Sequence, residues 1–397
     1  MKSFDALREP EFRLLFTGQL ISLLGDAFTS VALAFAVLSF GNATDLGIVF
    51  AAKSIPLITF LLIGGVFADR LPRRAVMLVA DVTRMGCQAA TAVLILAHTA
   101  TVWEVALIQA LSGAATAFFN PASTGLTPMT VSEERLQQAN ALRGISNSGA
   151  SLVGLGLGGA VVAAAGPGWA LAVDAGSFAA SAFFLSLLRL PPHVKLPPQS
   201  FLHDLRDGWH EFSSRTWVWM VVLSASFGNM FTSFFVVLGA VVAKESLGGP
   251  LAWTVILVGF SVGSLAGGFV SLHIRTGRPL FFGSVLVSML GLPLALLALH
   301  APAAVVAVGG FLAGGGNMVF NSLWETTLQK HVPAVALSRV SAYDWFGSLA
   351  FQPLGLAIAG PLAAAAGTST ALWIAAAGTL VVTGMCASTP SVRNLRG

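Results

Sequence analysis

Twelve apolar stretches, each long enough at roughly twenty residues to cross a bilayer, follow one another with only short polar turns between them. They run over 12–40, 46–68, 75–97, 102–123, 140–164, 167–188, 216–243, 251–274, 279–300, 302–323, 340–364 and 369–388, numbered here as spans 1 to 12. In lipid every backbone polar group needs a partner, which leaves helices or a closed barrel. The stretches are sustained runs of Ala, Leu, Val, Phe and Gly without the alternation of barrel strands, so helices are expected. Only 10% of residues are charged, against about a quarter in a water-soluble domain. The expected fold class is therefore an all-α membrane protein of twelve transmembrane helices.

The basic residues fix an orientation. Lys2, Arg8, Arg13, Arg70 to Arg74, Arg135, Arg189, Lys195, Arg206, Arg215, Arg275, Arg278, Lys330, Arg339, Arg393 and Arg396 fall at alternate ends of the spans, and Lys244 lies in an opposite loop. By the positive-inside rule both termini are expected in the cytoplasm, with the chain multi-pass in the inner (plasma) membrane. The net charge of +4 is then a matter of topology and contact with membrane lipids, without a nucleic-acid partner. Span 1 is too long for a cleaved signal peptide. Cys87 and Cys386 lie inside apolar spans and indicate neither disulfides nor a metal site. No phosphate-binding loop is present, since Gly314, Gly315 and Gly316 lack the Lys and hydroxyl such a loop needs. No nucleophile, metal set or acid pair emerges, so a non-enzyme without cofactor is expected.

The chain is internally duplicated. Leu24 to Ser30 returns as Phe227 to Ser233, Gly64 and Gly65 as Gly267 and Gly268, Gly113 to Asn120 as Gly314 to Asn321, and Gly159 to Gly166 as Gly360 to Gly367. Spans 1 to 6 thus correspond to spans 7 to 12. The expected organisation is a six-helix bundle over 1–188, a cytoplasmic linker over 189–215 and a second bundle over 216–397. Leu202, Leu205, Trp209 and Phe212 recur at helical spacing, so the linker either carries an amphipathic helix or serves as a tether.

Between spans 2 and 3, Gly65, Asp69, Arg70, Arg73 and Arg74 spell GxxxDRxxRR in a very short turn. With the two halves and the charged linker, this resembles motif A of the major facilitator superfamily. The resemblance implies that the glycine admits close helix approach and that Asp69 and the arginines latch a cytoplasmic gate, Asp69 facing the end of span 11. Pro72 stands where the family commonly has glycine. The run Phe12 to Phe28, with Gln137 to Leu142 and Phe119 to Ala122, further resembles the branch containing macrolide exporters and the enterobactin exporter. Two departures stand out. Leu155 replaces the proline of the family's antiporter motif on span 5, and Gln109 stands where the family's span 4 carries an arginine. The second copy of motif A has lost its Asp, leaving His273, Arg275 and Arg278.

The residues expected to touch substrate or proton are Asp26, Lys53, Gln109, Asn120, Asn229, Asn317 and Asn321. Asp26 lies near the middle of span 1 on one face with Gln19, Ser22 and Thr29, where a carboxylate is costly in lipid and needs a hydrated cavity or a partner. It either binds a proton or cationic substrate, or makes a structural hydrogen bond. Lys53 either pairs with Asp26 or snorkels to the outer headgroups. Gln109, Ser112, Thr116 and Asn120 form a stripe on span 4, and Asn317, Asn321 and Glu325 another on span 10; by resemblance, spans 1, 4, 7 and 10 line the cavity. Asp344, Ser348 and Gln352 add polarity on span 11. The gate set is completed by Arg143 and Asp344, at matching repeat positions with opposite charge. Asp81 and Arg84 are spaced for an intrahelical pair, and Asp174 is open between structure and function. Phe118, Phe119, Phe231, Phe234, Phe235 and Trp324 suit an amphipathic substrate or ordinary packing.

The resemblance implies a secondary active exporter, working by alternating access as a monomer, of a lipophilic small molecule (a drug, macrolide-like metabolite or siderophore), with proton exchange as the default coupling. The alternatives are an importer or lipid flippase of the same fold, or a non-transporting receptor or scaffold.

Overall fold

Each expected span is a helix in the computed structural model, which describes residues 5–132, 135–190, 209–274 and 276–396, without the side chains of 62–70, 137, 141, 334–336, 338 and 339. Among the described residues twelve helices are long and apolar enough to cross a membrane, and there is no strand. They are Pro10–Phe40, Ala43–Arg70, Arg73–Leu96, Val102–Leu126, Leu136–Ala165, Pro167–Leu187, Thr216–Val242, Pro250–Ser271, Pro279–Ala298, Ala303–His331, a broken span 11, and Thr368–Ser388.

Local sequence sets the ends of these helices. Proline opens spans 1, 6, 8 and 9, where its missing N–H costs nothing. Thr101 and Glu104 cap each other's backbone at the start of span 4. Prolines also explain the two interruptions. Span 9 tightens to a 3-10 turn at Ser288–Leu290, since Pro293 has no N–H for the carbonyl of Met289. Span 11 divides into Ala334–Leu349 and Gln352–Ala366, because Pro353 denies the carbonyl of Leu349 a donor and sits in the first turn of the helix that restarts at Gln352. Span 10 runs on to His331, beyond the expected end at 323. Span 5 is unbroken, consistent with Leu155 in place of proline.

The duplication reaches the turns. His98 and His300 both take left-handed backbone, with φ of 55° and 53°, and close spans 3 and 9 with the same six-to-one bonds, Thr99 N–H to Leu94 O and Ala301 N–H to Leu296 O. Gly166 and Gly367 likewise sit at φ of 91° and 89° between spans 5 and 6 and spans 11 and 12.

The chain divides into two compact units, Met1–Gly41 with Ala52–Pro198, and Asn42–Ala51 with Gln199–Gly397. In the first, span 1 packs on spans 5 and 6, and span 3 on spans 4 and 6. A Cβ at Gly154 or Gly158 of span 5 would strike Leu24, Ala27 or Phe28 of span 1. In the second, span 7 packs on spans 11 and 12, and span 8 on span 10. There Gly259, Gly263 and Gly267 abut the backbone of Ala307, Phe311 and Gly315, so backbones meet where lipid offers no hydrophobic drive. Thr44 and Gly47, from the start of span 2, pack on Gly360 and Leu356 within this second unit.

Large apolar side chains such as Leu107, Leu111, Phe183, Leu272 and Val308 are exposed. In water such a belt would signal an interface; in lipid it is the ordinary outer surface of a bundle.

Of the linker, Leu202 and Leu205 lie outside the described residues. Trp209 and Phe212 stack on each other, and both rings meet Tyr343 of span 11.

Candidate functional site

Three polar assemblies occupy the two apolar bundles. The first lies inside the N-terminal unit and is built from helical faces. On span 3, Asp81, Arg84, Gln88 and Thr91 recur at intervals of three and four, and on span 6 Asp174, Ser177 and Ser181 do the same. Both faces turn inward: Asp81, Thr91, Asp174 and Ser181 are fully buried, and Arg84 and Gln88 nearly so.

Arg84 is the hub. It holds Asp81 in a short ion pair, and its Nη1 lies 3.7 Å from Asp26 Oδ2. Its guanidinium also lies over the rings of Phe119 and Phe178, at 4.2 and 4.3 Å from their centroids, a contact strengthened by desolvation. Ser181 donates to Asp81 Oδ2 at 2.6 Å. Beside this pair, Asp174 accepts from Thr29 Oγ1 at 2.6 Å, Gln88 Nε2 at 2.7 Å and Ser177 Oγ at 3.2 Å. Gln109 Nε2 extends the chain to Gln88 Oε1 at 3.1 Å.

The predicted residues separate accordingly. Asp26 takes Arg84 as its ion partner, and its side chain is 42% exposed where that of Arg84 is 4%. Lys53 is partly exposed and lies within electrostatic reach of Asp174 and Cys87. Of the two readings of Lys53, the ion pair with Asp26 is not formed, since Asp26 pairs with Arg84, and the stripe on span 4 is divided. Gln109 is completely buried in the network, Ser112 is buried, and Asn120 alone is well exposed. The helix turns only a few residues of such a stripe to any one neighbour. Gln88 was missed, although its spacing from Asp81 and Arg84 marks the buried face; Asp174 belongs to the same network.

The second assembly is a cavity of about 560 Å³ wholly within the C-terminal unit. Asn229, Asn317 and Asn321 line it together, with Glu325, Asp344 and the rings of Phe320, Trp324 and Trp345. Asp344 is held by Trp324 Nε1 at 2.9 Å and Ser348 Oγ at 3.1 Å, and Asn229 donates to Ser348 O at 2.9 Å. A few fixed polar groups among aromatic walls suit a drug-sized organic molecule. Trp345, Gln329 and Ser341 also line this cavity and were missed; Gln329 lies on the extension of span 10, and Ser341 and Trp345 on the first part of span 11.

The third assembly holds span ends together. Arg73 donates to Gly125 O, and Arg74 to Leu185 O at 2.9 Å and to Ser186 O. These carbonyls close spans 4 and 6, where cations are favoured. Arg143 donates to Thr127 Oγ1 and, at 3.0 Å, to Ser123 Oγ, which also accepts from Gln19 Nε2 at 2.6 Å. Although they share a repeat position, Arg143 thus serves as a cross-helix tie and Asp344 as part of a cavity wall. The side chains of Gly65, Asp69 and Arg70, with the expected latch, lie outside the described residues.

The family model described as Major Facilitator Superfamily matches residues 15–351. The multidrug efflux pump Tap of Mycolicibacterium fortuitum is 29% identical over 392 residues, 91% of this chain and 90% of the pump. The enterobactin exporter EntS of Citrobacter koseri is 26% identical over 375 residues, 89% and 86% of the two chains. Among solved structures, the nucleoside transporter NupG superposes with a TM-score of 0.71 at 15% identity, covering 94% of this chain and 98% of its own, a likeness of fold. With twelve membrane-length helices, a duplicated plan and a family match over most of its length, this multi-pass membrane protein belongs to the Major Facilitator Superfamily.

Proposed function

We propose that the chain is a proton-coupled exporter of a lipophilic small molecule that works by alternating access. The observation that carries this reading is the cavity in the C-terminal unit, where three asparagines and three aromatic rings form a wall of mixed polarity. Such a wall suits a drug-sized amphipathic organic solute. The efflux relatives Tap and EntS support the outward direction. Asp26, half open beside a buried arginine, is the proposed proton carrier: loading it from one side and emptying it to the other would bias the states between which substrate affinity differs.

The test is flux through purified protein in proteoliposomes. With a pH gradient imposed, ethidium or radiolabelled erythromycin is expected to move against its own gradient and stop when a protonophore collapses the proton gradient. Binding without flux under any gradient would instead favour a receptor, and flux indifferent to pH would end the proton reading.

The same reading places both termini and the linker in the cytoplasm of a cell bounded by the inner (plasma) membrane. Single cysteines at Ser3 and Ser200, in a background lacking Cys87 and Cys386, are expected to resist an impermeant thiol reagent in intact cells, while one at Asn42 reacts. Labelling of either of the first two from outside would reverse the orientation.

A further inference from the structure

The buried cluster of the N-terminal unit has an unbalanced charge count. Three carboxylates, Asp26, Asp81 and Asp174, face two cations, Arg84 and Lys53. Arg84 touches Asp81 and Asp26 directly. Asp26 lies within electrostatic reach of both other acids, and Lys53 within reach of Asp174. The other elements packed here add no further charge to the count among the described residues. Span 3 contributes the neutral thiol of Cys87, span 4 contributes Gln109, and Arg143 of span 5 is turned to Ser123 and Thr127.

Asp81 and Asp174 are fully buried, and Arg84 is nearly so, with its Nε and Gln109 Oε1 both lacking a hydrogen-bond partner among the described residues. A low-dielectric interior penalises net charge far more than it penalises paired charge. With every group ionised the cluster carries one negative charge too many, and one proton removes it. Of the three carboxylates Asp26 is the one left accessible, its side chain 42% exposed, while Asp81 and Asp174 are fully buried, so it is the entry point.

From this we infer that Asp26, Asp81, Asp174, Arg84 and Lys53 form one shared site that binds a single proton, and that Arg84 and Lys53 set that number. The site belongs to the group: a proton entering at Asp26 neutralises the whole set, as expected for strongly interacting ionisable groups. The inference deepens the proton-coupled reading and rests on it for its physiological meaning. Its test measures protonation alone, so failure of transport and failure of this site are separate results.

The experiment is infrared difference spectroscopy of purified full-length protein in lipid nanodiscs, with isotope-labelled aspartate, between about pH 9 and pH 6, above the range in which surface carboxylates titrate. Wild type is expected to gain the C=O band of one protonated carboxyl. Asp26→Asn and Asp81→Asn each balance the cluster and are expected to lose that band, even though Asp81 itself is sealed from solvent. Lys53→Gln and Arg84→Gln each remove a cation and are expected to roughly double the band. A band surviving in Asp81→Asn would make the proton private to Asp26 and overturn the shared site. So would wild-type amplitude in Lys53→Gln. Should Arg84→Gln fail to fold, Asp81→Asn and the partly exposed Lys53→Gln still decide the matter.

Discussion

Asp26→Asn is expected to fold and insert as wild type does, while the proton-driven export proposed for the chain falls by about tenfold or more, on the scale of a coupling free energy of about 1–3 kcal/mol. The expectation follows from position and partner. The side chain sits near the middle of span 1, is 42% exposed, and lies 3.7 Å from a guanidinium that is itself buried. Asparagine keeps the shape and a hydrogen-bonding oxygen but can neither carry the negative charge nor take up the proton. Arg84 keeps Asp81 and its two aromatic rings, so the fold has no reason to fail. The measurement compares gradient-driven flux of ethidium across pH for the two proteins, normalised to folded protein, together with ethidium affinity. Unchanged flux with unchanged pH dependence would leave Asp26 a structural residue. A loss confined to cationic substrates, with neutral ones still pumped, would make it a counter-ion for substrate and move the coupling elsewhere.

Why Asp26 was legible in the sequence while its partner was not is a question of period. An isolated carboxylate in an apolar run is conspicuous whatever surrounds it, and the twelve spans were legible for the same reason, because lipid imposes length and composition on every helix. Which helix face meets which is set by packing between spans distant in sequence. Lys53 looked like a partner because rise per residue gives depth along a helix and nothing about azimuth. Arg84 was read with Asp81 as a local pair, which it is. Its reach to Asp26 depends on the close seat of spans 1, 3 and 6, including Gly25, where a Cβ would meet Ser177 and Asp174. The spacing of Asp81, Arg84, Gln88 and Thr91 did hold the signal, and so did that of Asp174, Ser177 and Ser181. In the C-terminal unit, Asn229, Asn317 and Asn321 do share one cavity. Gln329 also lines it, on the stretch of span 10 that runs past the end hydropathy gave it.

The largest effect on stability is expected at the Asp81–Arg84 pair, and its form is diagnostic. Arg84→Leu removes the only guanidinium touching Asp81 among the described residues and leaves a fully buried carboxylate with Ser181 as its donor. Breaking one side of a buried ion pair costs about 3–5 kcal/mol, because the surviving charge keeps its desolvation penalty and loses its compensation. The loss is greatest in alkaline buffer, where protons to neutralise Asp81 are scarce. Asp81→Asn/Arg84→Gln, by contrast, removes both charges and keeps two amides of similar size, one of them still able to accept from Ser181. That double variant is expected to regain most of the stability, ending within about 1 kcal/mol of wild type. Unfolding of the purified proteins in a fixed detergent, followed by intrinsic fluorescence as denaturant rises, supplies the double-mutant cycle once Arg84→Gln and Asp81→Asn are added as the single changes. If the two single losses simply add in the double variant, the residues act independently and Arg84 is held by its aromatic rings. A double variant far more stable than that sum makes the pair a unit. The same ion pair then has two distinct jobs: it lets a charged arginine sit deep in the bundle, and it presents that charge to Asp26.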